Sequence, residues 1–265
     1  MTTSTLQGKT VLVTGAARGI GAATARDVVR RGGSVALVGL EPELLRALAG
    51  ELGDRADWRE ADVCDAAAME SAVKWAVDRF GGIDVVMANA GIARVGSVAE
   101  IDPADFEAVI EVNLLGVWRT IRAALPAIRE RRGHVFIVSS MSAAVRLPLM
   151  SAYAAAKAGV GAFGDALRLE MLREGVTVGV AYLSFIDTDM VRNAFADEQA
   201  APFVTQMPSW MTATMPLSHA IPKLVDAIEQ RKPRVVLPGR AWPVLLCSQL
   251  FEPLVRRAVS RRITR

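Results

Sequence analysis

The sequence predicts an α/β fold, a parallel sheet covered by helices on both faces. Three observations predict it. Short β-branched runs alternate with longer amphipathic stretches along the 265 residues. Most of the runs are apolar throughout rather than alternating apolar with polar, the pattern of strands buried on both faces. No internal repeat and no Gly/Ser linker divides the chain, so one domain is expected over residues 1–265.

The expected elements follow in order. Thr10–Thr14 (TVLVT) is the first strand, and Gly19–Arg31 carries the first helical pattern. Val35–Val38 is the second strand, before a helix over Pro42–Leu52. A polar third strand lies near Trp58–Ala61, followed by a helix over Ala66–Phe80. Val85–Ala88 is the fourth strand, and one long helix is expected over Pro103–Arg131. Val135–Val138 is the fifth strand, with a helix over Ser151–Arg173. Val176–Leu183, a helix over Ser218–Gln230, and Arg234–Leu237 complete the alternation. Residues 185–216 break the rhythm: they are weakly periodic and rich in Met and aromatics, as a substrate lid would be.

Composition narrows the class. With 52% apolar and 22% charged residues, a disordered or collagen-like chain is excluded. Two cysteines, Cys64 and Cys247, argue against a disulfide framework or a multi-cysteine zinc site, and both read as buried small apolar residues in a reducing compartment. Two histidines, His134 and His219, argue against a multi-His metal site, so no metal is expected; both histidines read as structural or surface residues. MTTSTLQGKT has neither a basic nor an apolar leader region, and no run approaches 18 apolar residues, so a cytoplasmic protein is expected.

Charge is uneven. Residues 231–265 carry a net +8, which leaves −5 on the first 230 residues of a chain whose total is +3. A nucleic-acid reader clusters its basic residues within the folded module, so no nucleic-acid partner is expected. The basic cluster instead follows an apolar run, Ala241–Cys247. Pro243 suits a first helical turn, and Leu246, Leu250 and Leu254 recur every four residues. Residues 240–265 therefore read as an extension that packs on the body or a sister subunit, or contacts an anionic membrane surface peripherally.

Three motifs carry chemistry. The first is Thr14-Gly15-Ala16-Ala17-Arg18-Gly19-Ile20-Gly21, between a strand and a helix, where a pyrophosphate can approach the backbone at a helix N-terminus. The second is Tyr153-x3-Lys157: four residues apart on a helix they share a face, and an ammonium near a phenol favours phenolate. The third is Ser139-Ser140, closing the fifth strand, with Ser140 thirteen residues before Tyr153. Taken singly, each motif also has a purely structural reading: a tight turn, a solvated helix face and a strand-end turn.

Together with Asn89-Ala90-Gly91 and Asn113, these residues occur in order and at matching spacing, and the chain closely resembles the short-chain dehydrogenase/reductase family from about Gly8 to Leu237. The resemblance implies a Rossmann-type doubly wound sheet, strand order 3-2-1-4-5-6-7, binding NAD or NADP. It implies catalytic roles for Asn113, Ser140, Tyr153 and Lys157. Tyr153 is then the acid or base, Lys157 lowers its pKa and bonds the nicotinamide ribose, Ser140 polarises the carbonyl, and Asn113 holds a proton-relay water. Cofactor contacts are implied at Gly15, Arg18, Gly19, Ile20, Gly21, Gly39, Leu40, Asp62, Val63, Asn89, Ala90, Gly91, Ile186 and Thr188, beside Tyr153 and Lys157. A homodimer or homotetramer is also implied, through the helices of 103–131 and 151–173.

Two departures from the family pattern stand out. Ser184-Phe185 replaces the usual Pro-Gly, and Phe185 is expected to add bulk near the nicotinamide. No acid ends the second strand, where Gly39 and Leu40 precede Glu41, while Arg18 in the Gly-rich turn suits a 2′-phosphate, so NADP is favoured over NAD. Met190, Phe195, Phe203, Met207, Trp210, Met211 and Met215, with a wall from Val145, Leu147, Leu149 and Met150, suggest a hydrophobic ketone or secondary alcohol, steroid-like, long-chain or aromatic. The rival readings are a non-catalytic dinucleotide-binding sensor or scaffold, and a lipid-associated module acting through its tail.

Overall fold

The computed structural model describes residues 6–206 and 212–247. Its sheet has seven parallel strands: β1 Thr10–Thr14, β2 Ser34–Gly39, β3 Ala56–Glu60, β4 Val85–Ala88, β5 His134–Ser140, β6 Thr177–Leu183 and β7 Arg234–Leu237. They lie in the order β3-β2-β1-β4-β5-β6-β7, as expected. After β3 the chain crosses back to place β4 beside β1, and the order reversal opens a crevice beyond the carboxyl ends of those two strands.

Both faces of the sheet are buried. Helices α1 Gly19–Arg30, α2 Pro42–Leu52 and α9 Leu217–Glu229 cover one face, where Val11, Val13, Val35 and Leu37 meet Val28, Leu45 and Leu224. Helices α3 Ala66–Phe80, α5 Gly116–Glu130 and α6 Ser151–Glu170 cover the other, where Leu12, Ala36, Val86 and Ile137 meet Met69, Ile121 and Val160. Alternate residues of each strand thus feed opposite cores, which is why the strands read as continuous apolar runs. α6 packs closely on the sheet: a Cβ on Gly164 would lie 2.5 Å from Val180 Cγ2, so only glycine allows this approach.

The long helix expected over Pro103–Arg131 is broken. α4 (Pro103–Ile110) and α5 are joined by a π-helical turn at Glu111–Leu115, which carries Asn113. π-Helical turns concentrate at functional sites because the inserted residue must be compensated locally.

The segment after β6 is more regular than its weak periodicity suggests. α7 (Asp189–Ala196) and α8 (Ala201–Gln206) lie within it. Its root is closed by a parallel bridge between Ile186 and Met215, with Asp187 N donating to Met215 O at 2.9 Å and Met215 N to Phe185 O at 2.8 Å. Met207, Trp210, Met211 and the side chain of Phe203 lie outside the described residues.

α10 (Trp242–Leu246) carries Pro243 in its first turn, as expected, and lays Trp242, Val244 and Leu245 on the core beneath α3, α5 and α6. The rest of the predicted tail helix and its arginines lies outside the described residues. Among the described residues no helix is long and apolar enough to cross a membrane. The expectation of two buried thiols is corrected: Cys247 is exposed just past a five-residue helix, and Cys64 is half-buried.

His134 opens β5 and is fully buried. Its Nδ1 lies 2.9 Å from Thr177 Oγ1, while its Nε2 has no partner among the described residues. Burial, helped by the Arg231 and Arg168 cations, pushes its pKa down to about 3. The unfolded chain takes up this proton near pH 6.5, so the neutral ring contributes its full stability above that pH. The contribution is lost progressively as pH falls from about 6.5 towards 3. Between pH 7 and pH 5 wild type should lose about 2 kcal/mol more than a His134→Gln variant, read from urea midpoints. A gap between the two proteins that does not change with pH would contradict this account.

Candidate active site

The turn after β1 makes one end of the crevice. A Cβ on Gly21 would lie 2.2 Å from Gly15 O and 2.9 Å from Asn89 Nδ2, so no side chain fits there. Asn89 fastens the turn, its Nδ2 donating to Thr14 O at 2.9 Å and Gly15 O at 3.2 Å. Asn89 N and Ala90 N both donate to Thr14 Oγ1. Arg18 is the N-cap of α1 and supplies no side-chain cap, so the first N–H groups of the helix face the crevice without a capping acceptor. Those donors, on the positive end of a helix dipole, suit a pyrophosphate. Thr188, whose Oγ1 caps α7 by accepting from Val191 N at 3.4 Å, turns its methyl toward Gly19. The residues present therefore fit a dinucleotide.

Beyond the turn lie Gly39 at the end of β2, Leu40 and Glu41 after it, and Ala61, Asp62 and Val63 after β3. Asp62 Oδ1 accepts from Cys64 N at 2.8 Å, while Asp65, not Asp62, caps α3. Arg18 is not free: its Nη2 lies 2.5 Å from Glu41 Oε1. Glu41 stands at the N-cap position of α2 without capping it by side chain, and spends its carboxylate on Arg18 instead.

The other end is built by β5, α6 and the π-helical turn. Lys157 is 4% exposed, and its Nζ donates to Val138 O at 2.9 Å. Burial pushes its pKa down to about 8. The ammonium sits 5.7 Å from the centre of the half-buried Tyr153 ring, one helical turn away. Burial pushes the Tyr153 phenol up, and a hydrogen bond with Ser140 acts against that rise. Burial is the larger influence on the phenol, because desolvation penalises phenolate, and it also disfavours the charged form of Lys157. Ser140 Oγ also accepts from Ser142 N at 3.1 Å. Asn113 is fully buried, and its amide clasps Ile92, accepting from Ile92 N at 2.8 Å and donating to Ile92 O at 2.7 Å. Its side chain thus holds the loop after β4.

One cleft of about 720 Å³ joins the two ends. Gly15, Arg18, Gly19, Ile20, Gly39, Leu40, Asp62, Val63, Asn89, Ala90, Gly91, Ser140, Tyr153, Lys157, Ile186 and Thr188 all line it. Gly21 and Asn113 are not in its wall and act from behind. Ser184 lines the cleft and Phe185 does not: the Phe185 ring packs edge-on against Phe195 of α7, centroids 4.8 Å apart. The expected intrusion of Phe185 at the nicotinamide end is therefore corrected. So is the apolar wall from Val145, Leu147, Leu149 and Met150, none of which lines the cleft. Leu149 O is instead tied to Gly96 N at 2.9 Å.

Sequence reasoning missed Ile92, Arg94, Val95 and Asp105, with Arg94 Nε 2.8 Å from Asp105 Oδ1. It also missed Asp189, Asn193 and Asp197, which line the cleft. Their spacing of four was the available signal. Of the apolar residues expected in this segment, Met190 reaches the cleft.

Comparison with known proteins agrees with this geometry. The family model described as short chain dehydrogenase matches residues 9–199. The chain is 34% identical over 204 residues to the 3-oxoacyl-acyl-carrier-protein reductase FabG of Escherichia coli (strain K12), covering 77% of this chain and 83% of that one. It is 35% identical over 193 residues to the oxidoreductase UcpA of the same strain, covering 71% and 73% respectively. A crystal structure of a dehydrogenase/reductase from Sinorhizobium meliloti 1021 superposes with a TM-score of 0.78 at 28% identity, over 88% of this chain and 95% of that one. A topology, a cleft and a sequence match thus converge: the chain belongs to the short-chain dehydrogenase/reductase family and is an NAD(P)-dependent oxidoreductase.

Proposed function

We propose that the protein interconverts a ketone and a secondary alcohol, with Tyr153 as the acid or base. The observation that carries this reading is the convergence of Ser140, Tyr153 and Lys157 on the cleft that also receives the uncapped start of α1. The bound dinucleotide supplies the hydride. Gly15, Gly19, Ile20 and the α1 N-terminus hold its pyrophosphate; Asp62 and Val63 flank the adenine; Asn89, Ala90 and Gly91 flank the adenosine ribose. Ile186 and Thr188 close the nicotinamide end. Tyr153 gives its phenolic proton to the carbonyl oxygen in reduction and recovers it in oxidation. Ser140 donates to the same oxygen as negative charge develops there. Lys157 fixes the ribose and supplies positive charge beside the phenol. Asn113 anchors the loop after β4 and steadies the water path.

The substrate has an apolar body, supported by Ile92, Val95, Met190 and Ala194 in the cleft wall. The polar residues Asn193 and Asp197 and the Arg94–Asp105 pair suit a polar group elsewhere on the same molecule. The name of the FabG relative places a 3-oxoacyl group in that enzyme, and an acyl ketone with a polar head satisfies the same lining. A panel of steroid, aromatic and 3-oxoacyl ketones, read by dinucleotide absorbance, separates these classes. The protein acts in the cytoplasm as a homodimer or homotetramer; Leu115 and Trp118, 37% and 40% exposed, offer apolar contact at the start of α5.

Tyr153→Phe should abolish turnover while leaving dinucleotide binding intact, because only the phenolic proton is lost. Substantial activity at neutral pH in that variant would remove Tyr153 from the role. Binding without turnover in wild type across the whole panel would favour a sensor or scaffold instead. Lys157→Ala should weaken both binding and turnover, and unchanged dinucleotide affinity would contradict its ribose contact.

NADP is preferred through Arg18, and the Arg18–Glu41 pair restrains that preference. Glu41 must release Arg18 before the guanidinium can take a 2′-phosphate, and a charge-assisted bond of this kind contributes about 1.5–3 kcal/mol. Arg18→Ala should therefore weaken NADP(H) more than NAD(H). Glu41→Gln should strengthen NADP(H) over NAD(H) by about two- to fivefold, read by fluorescence titration. Equal responses of both dinucleotides to both substitutions would return Arg18 to the pyrophosphate or the surface.

A further inference from the structure

We propose that Ser139 is a positioning residue: its hydroxyl fixes the axial register of α6 against β5 and thereby aims Lys157 and Tyr153 into the cleft. This rests on the reading of Tyr153 and Lys157 as the acid–base pair. Ser139 is 2% exposed, and its Oγ donates to Lys157 O at 2.8 Å. The preceding residue of the same strand, Val138, accepts from Lys157 Nζ at 2.9 Å. Two consecutive strand residues therefore grip one helical residue by its backbone and by the end of its side chain.

The hydroxyl is out of place by the logic of the sheet. Strand alternation puts Ser139 on the face of Val135 and Ile137, both fully buried in the core beneath α6. Burying a hydroxyl is costly unless it is bonded, and an apolar residue would continue that face at no such cost. What the hydroxyl adds is direction. Apolar contacts resist separation of a helix from a sheet but fix its axial position weakly, since the hydrophobic effect has no orientation. The glycines that bring α6 close make that contact smoother still. A bond from Ser139 to a backbone carbonyl in the middle of α6 removes the freedom to slide. Ser140, next along the strand, faces the cleft; fixing α6 against β5 fixes the Ser140–Tyr153 geometry as well.

The test compares Ser139→Ala with Ser139→Thr, which keeps the hydroxyl and suits a strand. Two readouts are taken. The first is steady-state kinetics across pH. In Ser139→Ala, kcat should fall about tenfold or more, as small misplacements of reacting groups do, with KM for the ketone little changed. The second needs no turnover. The chain has two tyrosines, Tyr153 and Tyr182, and Tyr153→Phe assigns their ultraviolet titrations. Loosening α6 weakens the hydrogen bond with Ser140 that opposes the rise of the Tyr153 phenol, so the phenol should titrate at higher pH in Ser139→Ala. Tyr182 should be unmoved. Arg94, Asp105, Asp189 and Asp197 line the same cleft in both proteins, so their influence cancels in the comparison.

Ser139→Thr should restore both readouts. An unchanged Tyr153 titration in Ser139→Ala overturns the proposal whatever the activity does. If wild type reduces none of the ketones, the proposed function fails, and the phenol titration still decides the role of Ser139. Should the alanine variant not fold, Ser139→Cys, close in volume and a weaker donor, is read the same way with a smaller shift in the same direction.

Discussion

A sheet buried on both faces leaves nowhere for polar chemistry except the ends of its strands. Val11, Leu12 and Val13 alternate between two cores, as do Val35, Ala36 and Leu37, and all six are fully buried. Every group that binds or reacts must therefore sit where the strands stop and the chain turns into the next helix. The cleft obeys this constraint. Its lining comes from the turns after β1, β2, β3, β4 and β6, from the last residues of β5, and from helices that cross over them. The order reversal beside β1 and β4 keeps that space open, because the chain departs in opposite directions from the two strands.

The same constraint decides what was legible in the sequence. Strands buried on both faces appear as uninterrupted apolar runs, so their number and places along the chain could be read, while their order in the sheet followed from the family resemblance. The Gly-rich turn and the Tyr153–Lys157 spacing are local signals, set by a few residues with strict backbone or helical requirements. The π-helical turn at Glu111–Leu115 was hidden because its residues continue the apolar periodicity of the helices on either side. The direction of the Phe185 ring was hidden too, since it depends on Phe195, a partner ten residues away on α7. The pairing of Arg18 with Glu41 spans two strand-to-helix turns, and nothing in either turn alone announces it. What sequence pattern conveys well is burial and local geometry; what it conveys poorly is which of several available partners a long polar side chain takes.

The two ends of the cleft are governed by different electrostatics. At the Arg18 end, donors and charges are solvent-accessible, with the Arg18 and Glu41 side chains 64% and 35% exposed, so their interaction is screened and exchangeable. At the Tyr153 end, Lys157 is buried and Tyr153 half-buried. Burial pulls the lysine down and the phenol up, which opens a gap between two groups that ordinarily titrate close together near pH 10. Burial thus does not prepare a phenolate by itself. It creates a dry site in which any added positive charge, or any fixed donor such as Ser140, acts on the phenol with little screening. Selectivity for the dinucleotide and reactivity toward the carbonyl are in this way separated along one cleft.

The segment after β6 shows how a departure from a family pattern can be absorbed. Replacing Pro-Gly by Ser184-Phe185 removes a fixed φ and a flexible residue where the chain leaves the sheet. Two features compensate. Ser184 N donates to Leu237 O at 2.8 Å, which extends the β6–β7 pairing by one residue and fixes the exit direction without proline. Phe185 packs on Phe195 near the far end of α7, a helix with no fully buried residue and therefore little packing of its own. An eight-residue helix is too short to be stable in isolation, so its attachment comes from tertiary contacts. The aromatic pair, the Thr188 cap and the Ile186–Met215 bridge supply three, at its far end, its start and its root. With the chain held at these points, Met190, Asn193 and Ala194 face the cleft, so the residue that looked like an obstruction in the sequence instead anchors the helix that forms part of its wall.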